Sequence, residues 1–142
     1  MLRVLSVLSV LLLCFSCGEK ILTGDVDCAE CYREKPDSAD LEISLTFNDE
    51  FTEVPLVVYR GDVEDNNIEY LDTAYESPYY LYVPVDKKYS VKAEYKKSDA
   101  ILYAVDGTKL KVLLVTDACD AECYVIENET MNAEIKKEFS DF

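Results

Sequence analysis

The sequence predicts an all-β fold, an antiparallel β-sandwich of about seven strands. Three observations carry that expectation. Apolar residues recur at every second position in several short stretches, the stretches follow one another at close spacing with polar or turn-forming residues between them, and no stretch sustains a helical period.

"LEISLTF" places Leu41, Ile43, Leu45 and Phe47 on one face and Glu42, Ser44 and Thr46 on the other, the alternation of a half-buried strand. "YSVKAEYK" repeats it, with Tyr89, Val91, Ala93 and Tyr95 opposed to Ser90, Lys92, Glu94 and Lys96. "VPLVVYRG" and "YYLYVPV" are apolar or aromatic on both faces, which fits strands that are covered on both sides or carry rings at the surface. "ILYAV" and "TKLKVLLV" flank Asp106-Gly107, a dipeptide that tolerates the positive φ angles of a tight turn, so a hairpin is expected there. "YVI" and "MNAEIK" follow, separated by the polar residues Glu127 to Thr130.

Outside these strands the chain divides simply. The N-terminus, "MLRVLSVLSVLLLCFSCGEK", has one positive charge at Arg3, an apolar run from Val4 to Phe15 and an abrupt change to polar residues. This is the pattern of a secretion signal, and the run is shorter than the roughly 18–20 residues that a membrane-spanning helix needs. Ser16-Cys17-Gly18 resembles the bacterial lipobox, in which a cysteine after a small residue takes a diacylglycerol. Cys14 stands where leucine is usual, and an ordinary signal cleavage nearby is the alternative. The expected organisation is a lipoprotein signal peptide at 1–16, a tether and N-terminal cysteine segment at 17–38, a β-sandwich domain at 39–137 and a C-terminal tail at 138–142. Acyl chains on Cys17 contribute about 0.8 kcal/mol of membrane affinity per buried methylene, so the anchor is firm while the body stays soluble.

Longer stretches carry a resemblance. "VPLVVYRGDVEDNNIEYLDT", "YYLYVPVDKKYSVKAEYK", "AVDGTKL" and "CDAECY" together resemble small cell-surface lipoproteins of the Bacteroidetes group, across Asp25 to Lys137. That resemblance implies a transthyretin-like or immunoglobulin-like sandwich and a location in the bacterial cell envelope, at the outer membrane or cell surface. It implies no catalytic residue.

Composition narrows the chemistry. The chain of 142 residues carries 29 acidic against 14 basic residues, a formal charge of −15, one unit more negative once Arg3 leaves with the signal. Such a field repels phosphate backbones, which excludes nucleic acid as the expected partner. Histidine is absent, so Ser-His-Asp and Cys-His nucleophile systems have no base, and the commonest transition-metal ligand is missing. With four glycines, none clustered, there is no phosphate-cradling loop. Paired carboxylates of the glycosidase kind are easy to imagine among 29 acids and impossible to single out. No enzyme activity, cofactor or metal is expected.

Two regions hold candidate ligand groups. In "GDVEDNNIEY", residues 61–70, Asp62, Glu64, Asp65, Asn66, Asn67 and Glu69 offer hard oxygen ligands, yet an EF-hand would need glycine and glutamate where Asn67 and Thr73 stand. A looser calcium site or a solvated loop both account for the stretch. Tyr80 and Tyr82, at alternate positions, share one strand face and form the candidate binding face for a glycan or protein ligand; strand packing alone also favours tyrosine.

The last question is posed by the repeated Ala-Glu-Cys-Tyr of "DCAECY" (27–32) and "DACDAECY" (117–124). An even set, Cys28, Cys31, Cys119 and Cys123, in an exported chain favours disulfides over tetrahedral zinc or a redox pair. Three pairings are open. Bonds from the first pair to the second close the longest loops, worth about 4–5 kcal/mol by chain entropy, and are the expected arrangement. The functional expectation is a lipid-anchored extracytoplasmic binding or structural module, accessory to ligand capture or adhesion. The alternative is a metal-binding or thiol-redox protein using those four cysteines.

Overall fold

A computed structural model describes residues 26–136 of the chain. The stretch expected to be a signal peptide, Cys14, the expected lipidation position Cys17 and the expected tail at 138–142 lie outside the described residues. Eight strands form in order: β1 (Ser38–Ser44), β2 (Val54–Arg60), β3 (Ile68–Ala74), β4 (Tyr79–Pro84), β5 (Lys87–Lys97), β6 (Ala100–Val115), β7 (Cys123–Glu127) and β8 (Thr130–Asn132). The only helical element among the described residues is a 3-10 turn at Val63–Asp65. The all-β sandwich is thus what the chain forms.

Its two sheets have the orders β4-β1-β8 and β3-β2-β5-β6-β7. The five-stranded sheet is antiparallel throughout. The smaller sheet pairs β1 antiparallel to β4 but parallel to β8, so the expected purely antiparallel arrangement has one exception. That exception follows from connectivity: β8 returns from the far sheet and joins β1 from the side opposite β4. An immunoglobulin constant domain keeps its first two strands in one sheet. Here β1 and β2 lie in different sheets.

The alternating strands place their apolar faces where the period of two says. Leu41 and Ile43 of β1, and Tyr89, Val91, Ala93 and Tyr95 of β5, are fully buried, and they meet Val54, Leu56 and Val58 of β2 between the sheets. Two of these core residues are polar at one end, and each hydroxyl finds a partner in the opposite sheet's chain. The Tyr89 hydroxyl donates to the carbonyl of Pro84, at the end of β4, at 2.8 Å. The Tyr95 hydroxyl donates to the carbonyl of Ala133, just past β8, at 2.7 Å and accepts from the Thr46 amide, just past β1, at 3.0 Å. Phe51 packs edge-on to the Tyr95 ring with centroids 5.3 Å apart. No buried side-chain nitrogen or oxygen among the described residues lacks a partner.

One expected turn does not form. Asp106-Gly107 lies inside β6, which runs unbroken over sixteen residues, and the hairpin between β5 and β6 turns instead at Ser98 and Asp99. Gly107 is there for closeness: it faces Ser90 of β5, and a Cβ at this position would sit 3.0 Å from the Ser90 Oγ and 3.3 Å from the Tyr89 carbonyl oxygen. That hydroxyl donates to Gly61 O at 2.7 Å and has little room to yield. Asp106 meanwhile accepts from the amide of Asn132 at 2.6 Å, welding β6 to β8 across the sheets. A second correction is β3, which occupies the end of the stretch read as an acidic loop.

Candidate functional site

The cysteines meet at one end of the sandwich. Cys28 bonds to Cys119 and Cys31 to Cys123, with Cα separations of 5.8 and 5.7 Å that suit unstrained backbone placement. The first pair therefore bridges to the second, as loop length argued. Between the bonds and the strands the backbone adds its own bridge: Tyr32 and Tyr124 exchange N–H···O bonds of 2.8 and 2.7 Å, so the repeated Cys-Tyr dipeptides lie side by side. Lys35 pairs with Asp86 in the β4–β5 turn at 3.1 Å. The segment read as a tether is thus fastened to the body from Cys28 onward. Burial grades along the cluster, from exposed Cys28 to buried Cys123, and one sulfur each from Cys31, Cys119 and Cys123 lies within 4.8 Å of the others.

Three acids of the stretch at 61–70 already have partners within the chain. Asp62 pairs with Lys88, Glu69 pairs with Arg60 at 2.6 Å, and Asp65 turns back to accept from the Asp62 amide at 3.0 Å. Asn66 adopts the left-handed conformation that ends the 3-10 turn. The carboxylates thus point to separate neighbours rather than converging on one point.

Tyr80 and Tyr82 project from β4 on the outer face of the small sheet, 58% and 68% exposed. The register sets a carboxylate opposite each ring: Glu42 faces Tyr80 and Asp40 faces Tyr82 on β1. The Tyr80 hydroxyl reaches Glu42 Oε2 at 3.4 Å, and partial desolvation together with that carboxylate holds its phenol above the ordinary 10.0. On the far side of β1, Thr130 and Asn132 complete the face, being the residues paired with Glu42 and Ser44. Glu129 stands just before them, its carbonyl accepting from the Glu42 amide at 2.8 Å. Desolvation of the carboxyl, then the neighbouring Glu30, Asp40 and Glu42, raise exposed Glu129 above its usual 4.5. Glu129 also lines an open groove of about 790 Å³ beside the cysteine clamp, together with Asp27, Glu30, Tyr32 and Glu127. Glu129 is thus common to the groove beside the cysteine clamp and to the group of acids that includes Asp40 and Glu42.

Sequence reasoning missed the carboxylate partners of the two rings. Their signal was present: Asp40 and Glu42 occupy the polar positions of the first alternating strand, and only the register with β4 was lacking. It also missed a row on the outer face of the larger sheet, where Leu71, Val57 and Val105 line up across the strands with Lys92 between the last two. Lys92 there lies over the Tyr103 ring, 4.2 Å from its centroid.

The fold and site define a disulfide-clamped β-sandwich with an aromatic and acidic sheet face. No family model, no curated protein and no solved structure matches the chain.

Proposed function

We propose that this chain is a lipid-tethered, extracytoplasmic binding module of a bacterial cell envelope, without catalytic activity, that captures a ligand on the face of Tyr80 and Tyr82. A transthyretin-like sandwich in a cell-surface lipoprotein is the setting this reading gives it. The carrying observation is the pair of exposed rings on an uncovered sheet face, since large aromatics exposed side by side form contact platforms. The double clamp supports the address, because two disulfides persist in an oxidising compartment.

Two experiments test it. Full-length protein made in a bacterium partitions into detergent with Cys17 as its modified first residue, whereas Cys17→Ala abolishes that; an unlipidated N-terminus mapped well beyond Cys17 overturns the anchor. Envelope extracts passed over wild-type chain and over Tyr80→Ser/Tyr82→Ser identify the ligand as what only the wild type retains. Identical retention by the two overturns the face.

One alternative, a thiol-redox or metal-binding protein, draws on the sulfurs of Cys31, Cys119 and Cys123, which lie within 4.8 Å of one another and would act as thiols or ligands only after both bonds are reduced. Intact mass before and after reduction, with metal analysis, separates the readings: two thiol pairs that cycle with a cellular thiol donor, or one equivalent of bound zinc, would support it.

A further inference from the structure

Resting on the binding reading above, we infer that the outer face of the β4-β1-β8 sheet docks a lysine- or arginine-bearing protein segment, its cations seated between the rings of Tyr80 and Tyr82 and the carboxylates of Asp40 and Glu42. The face pairs each exposed ring with an acid one strand away, at the distance where cross-strand side chains touch. A cation above a tyrosine ring is drawn by the ring's negative face, and an adjacent carboxylate adds an ion pair.

Charge complementarity selects the occupant. Ion pairs elsewhere among the described residues neutralise Asp86, Glu69, Asp62, Glu94 and Glu50. None of them engages Glu30, Asp40, Glu42 or Glu129. Glu30, Asp40 and Glu42 instead act on Glu129 as like charges, and β1, β4 and β8 carry no basic residue. A neutral sugar would stack on the rings yet leave that repulsion in place, and an anionic partner would add to it. A cationic segment relieves it. The larger sheet makes the same contact within the chain, where Lys92 covers Tyr103. Glu129, which feels Asp40 and Glu42, also lines the groove with Glu30 and Glu127, so further carboxylates lie to the β8 side of the rings.

The test uses the full-length chain in detergent, disulfides intact, titrated with a synthetic octapeptide alternating lysine and serine, with the matching glutamate–serine peptide and with a neutral glucose oligosaccharide. The lysine peptide binds, and Tyr80→Ser/Tyr82→Ser weakens it about tenfold, the loss of two exposed cation–π contacts. Asp40→Asn/Glu42→Gln weakens it similarly. Asp62→Asn/Glu64→Gln, which removes the same charge from the 3-10 turn, changes affinity less than twofold. An equal loss from that control pair means the net charge alone attracts the peptide, and overturns the inference. Binding of the oligosaccharide but not the lysine peptide, abolished by the tyrosine variant, overturns the ligand class while leaving the binding face standing. No tyrosine-dependent binding of any probe overturns the docking inference, and the extract experiment above then decides whether the face binds anything else.

Discussion

Removing the disulfides one at a time and then together should give costs that do not add. With both bonds broken, the first to form closes a loop of 91 or 92 residues, worth about 4.6 kcal/mol by the chain-entropy relation. The second then closes only a small ring, running from Cys28 to Cys31 and from Cys119 to Cys123, of about nine residues and about 2.6 kcal/mol. Either Cys28→Ala/Cys119→Ala or Cys31→Ala/Cys123→Ala alone should therefore cost about 2.6 kcal/mol, because the surviving bond still holds the long loop. All four substitutions together should cost about 7 kcal/mol, more than the two singles combined. The pair containing Cys123 should run slightly higher, since that residue is buried and its loss opens a small void. Urea unfolding of the oxidised proteins, analysed by linear extrapolation, measures all three. Single-bond variants that each lose nearly 5 kcal/mol, or a bond-free protein that loses under 3, would refute the loop argument.

Other consequences are read directly from contacts. Tyr95→Phe removes a buried hydroxyl that serves two backbone groups, and should cost about 1–3 kcal/mol in the same unfolding assay. Gly107→Ala should destabilise by about 1–3 kcal/mol through the crowded Ser90 hydroxyl, and Ser90→Ala in the same chain should recover part of it; additive losses would point to another cause. Asp86 lies below its ordinary 3.8 because the Val112 amide donates to it and, secondarily, because Lys35 pairs with it. Its contribution is present above pH 3.8 and is lost as pH falls through the lower folded value, so Asp86→Asn should flatten the acid limb of stability against pH. Glu129 has the opposite sign: its penalty is absent below 4.5 and grows as pH rises through the higher folded value, so Glu129→Gln should stabilise at neutral pH and do nothing in acid.

Strands whose two faces differ were legible. In β5, Tyr89, Val91, Ala93 and Tyr95 read as one face because that side packs against the smaller sheet. That the first cysteine pair bridges to the second was legible for another reason, since an even set of cysteines and loop length favour it without any knowledge of the fold, whereas the choice of Cys28–Cys119 with Cys31–Cys123 over the crossed alternative was not. β3 was hidden because it is an edge strand of the wider sheet: Ile68, Tyr70 and Leu71 are all exposed, so burial imposes no alternation on it. Asp106-Gly107 misled because the dipeptide satisfies local turn chemistry, while a close approach by Ser90 and a cross-sheet bond to Asn132 decide its conformation. A clue existed in phase. Leu102, Ala104, Leu110 and Val112 keep the same parity on both sides of the dipeptide, as one continuous strand must. The tyrosine face was half legible, because alternation aims the rings outward, but the acids beside them depend on a register that only the folded sheet supplies.

The cysteine clamp also decides how the domain bears force. Tension applied between the N-terminal lead and the chain beyond β8 enters at Cys28, crosses the sulfur bridge to Cys119 and leaves through Cys123, so residues 32–118 carry no load. Most of both sheets is mechanically bypassed. Only the 124–136 stretch can be drawn out, about 45 Å at 3.3–3.6 Å per residue, roughly an eighth of the length that the described residues would release without the bridges. The Ile135 amide bond to the Thr46 hydroxyl and the contacts of Ala133 would yield first and the short parallel pairing of β8 with β1 next, while Tyr80 and Tyr82 stay on β4, paired with β1.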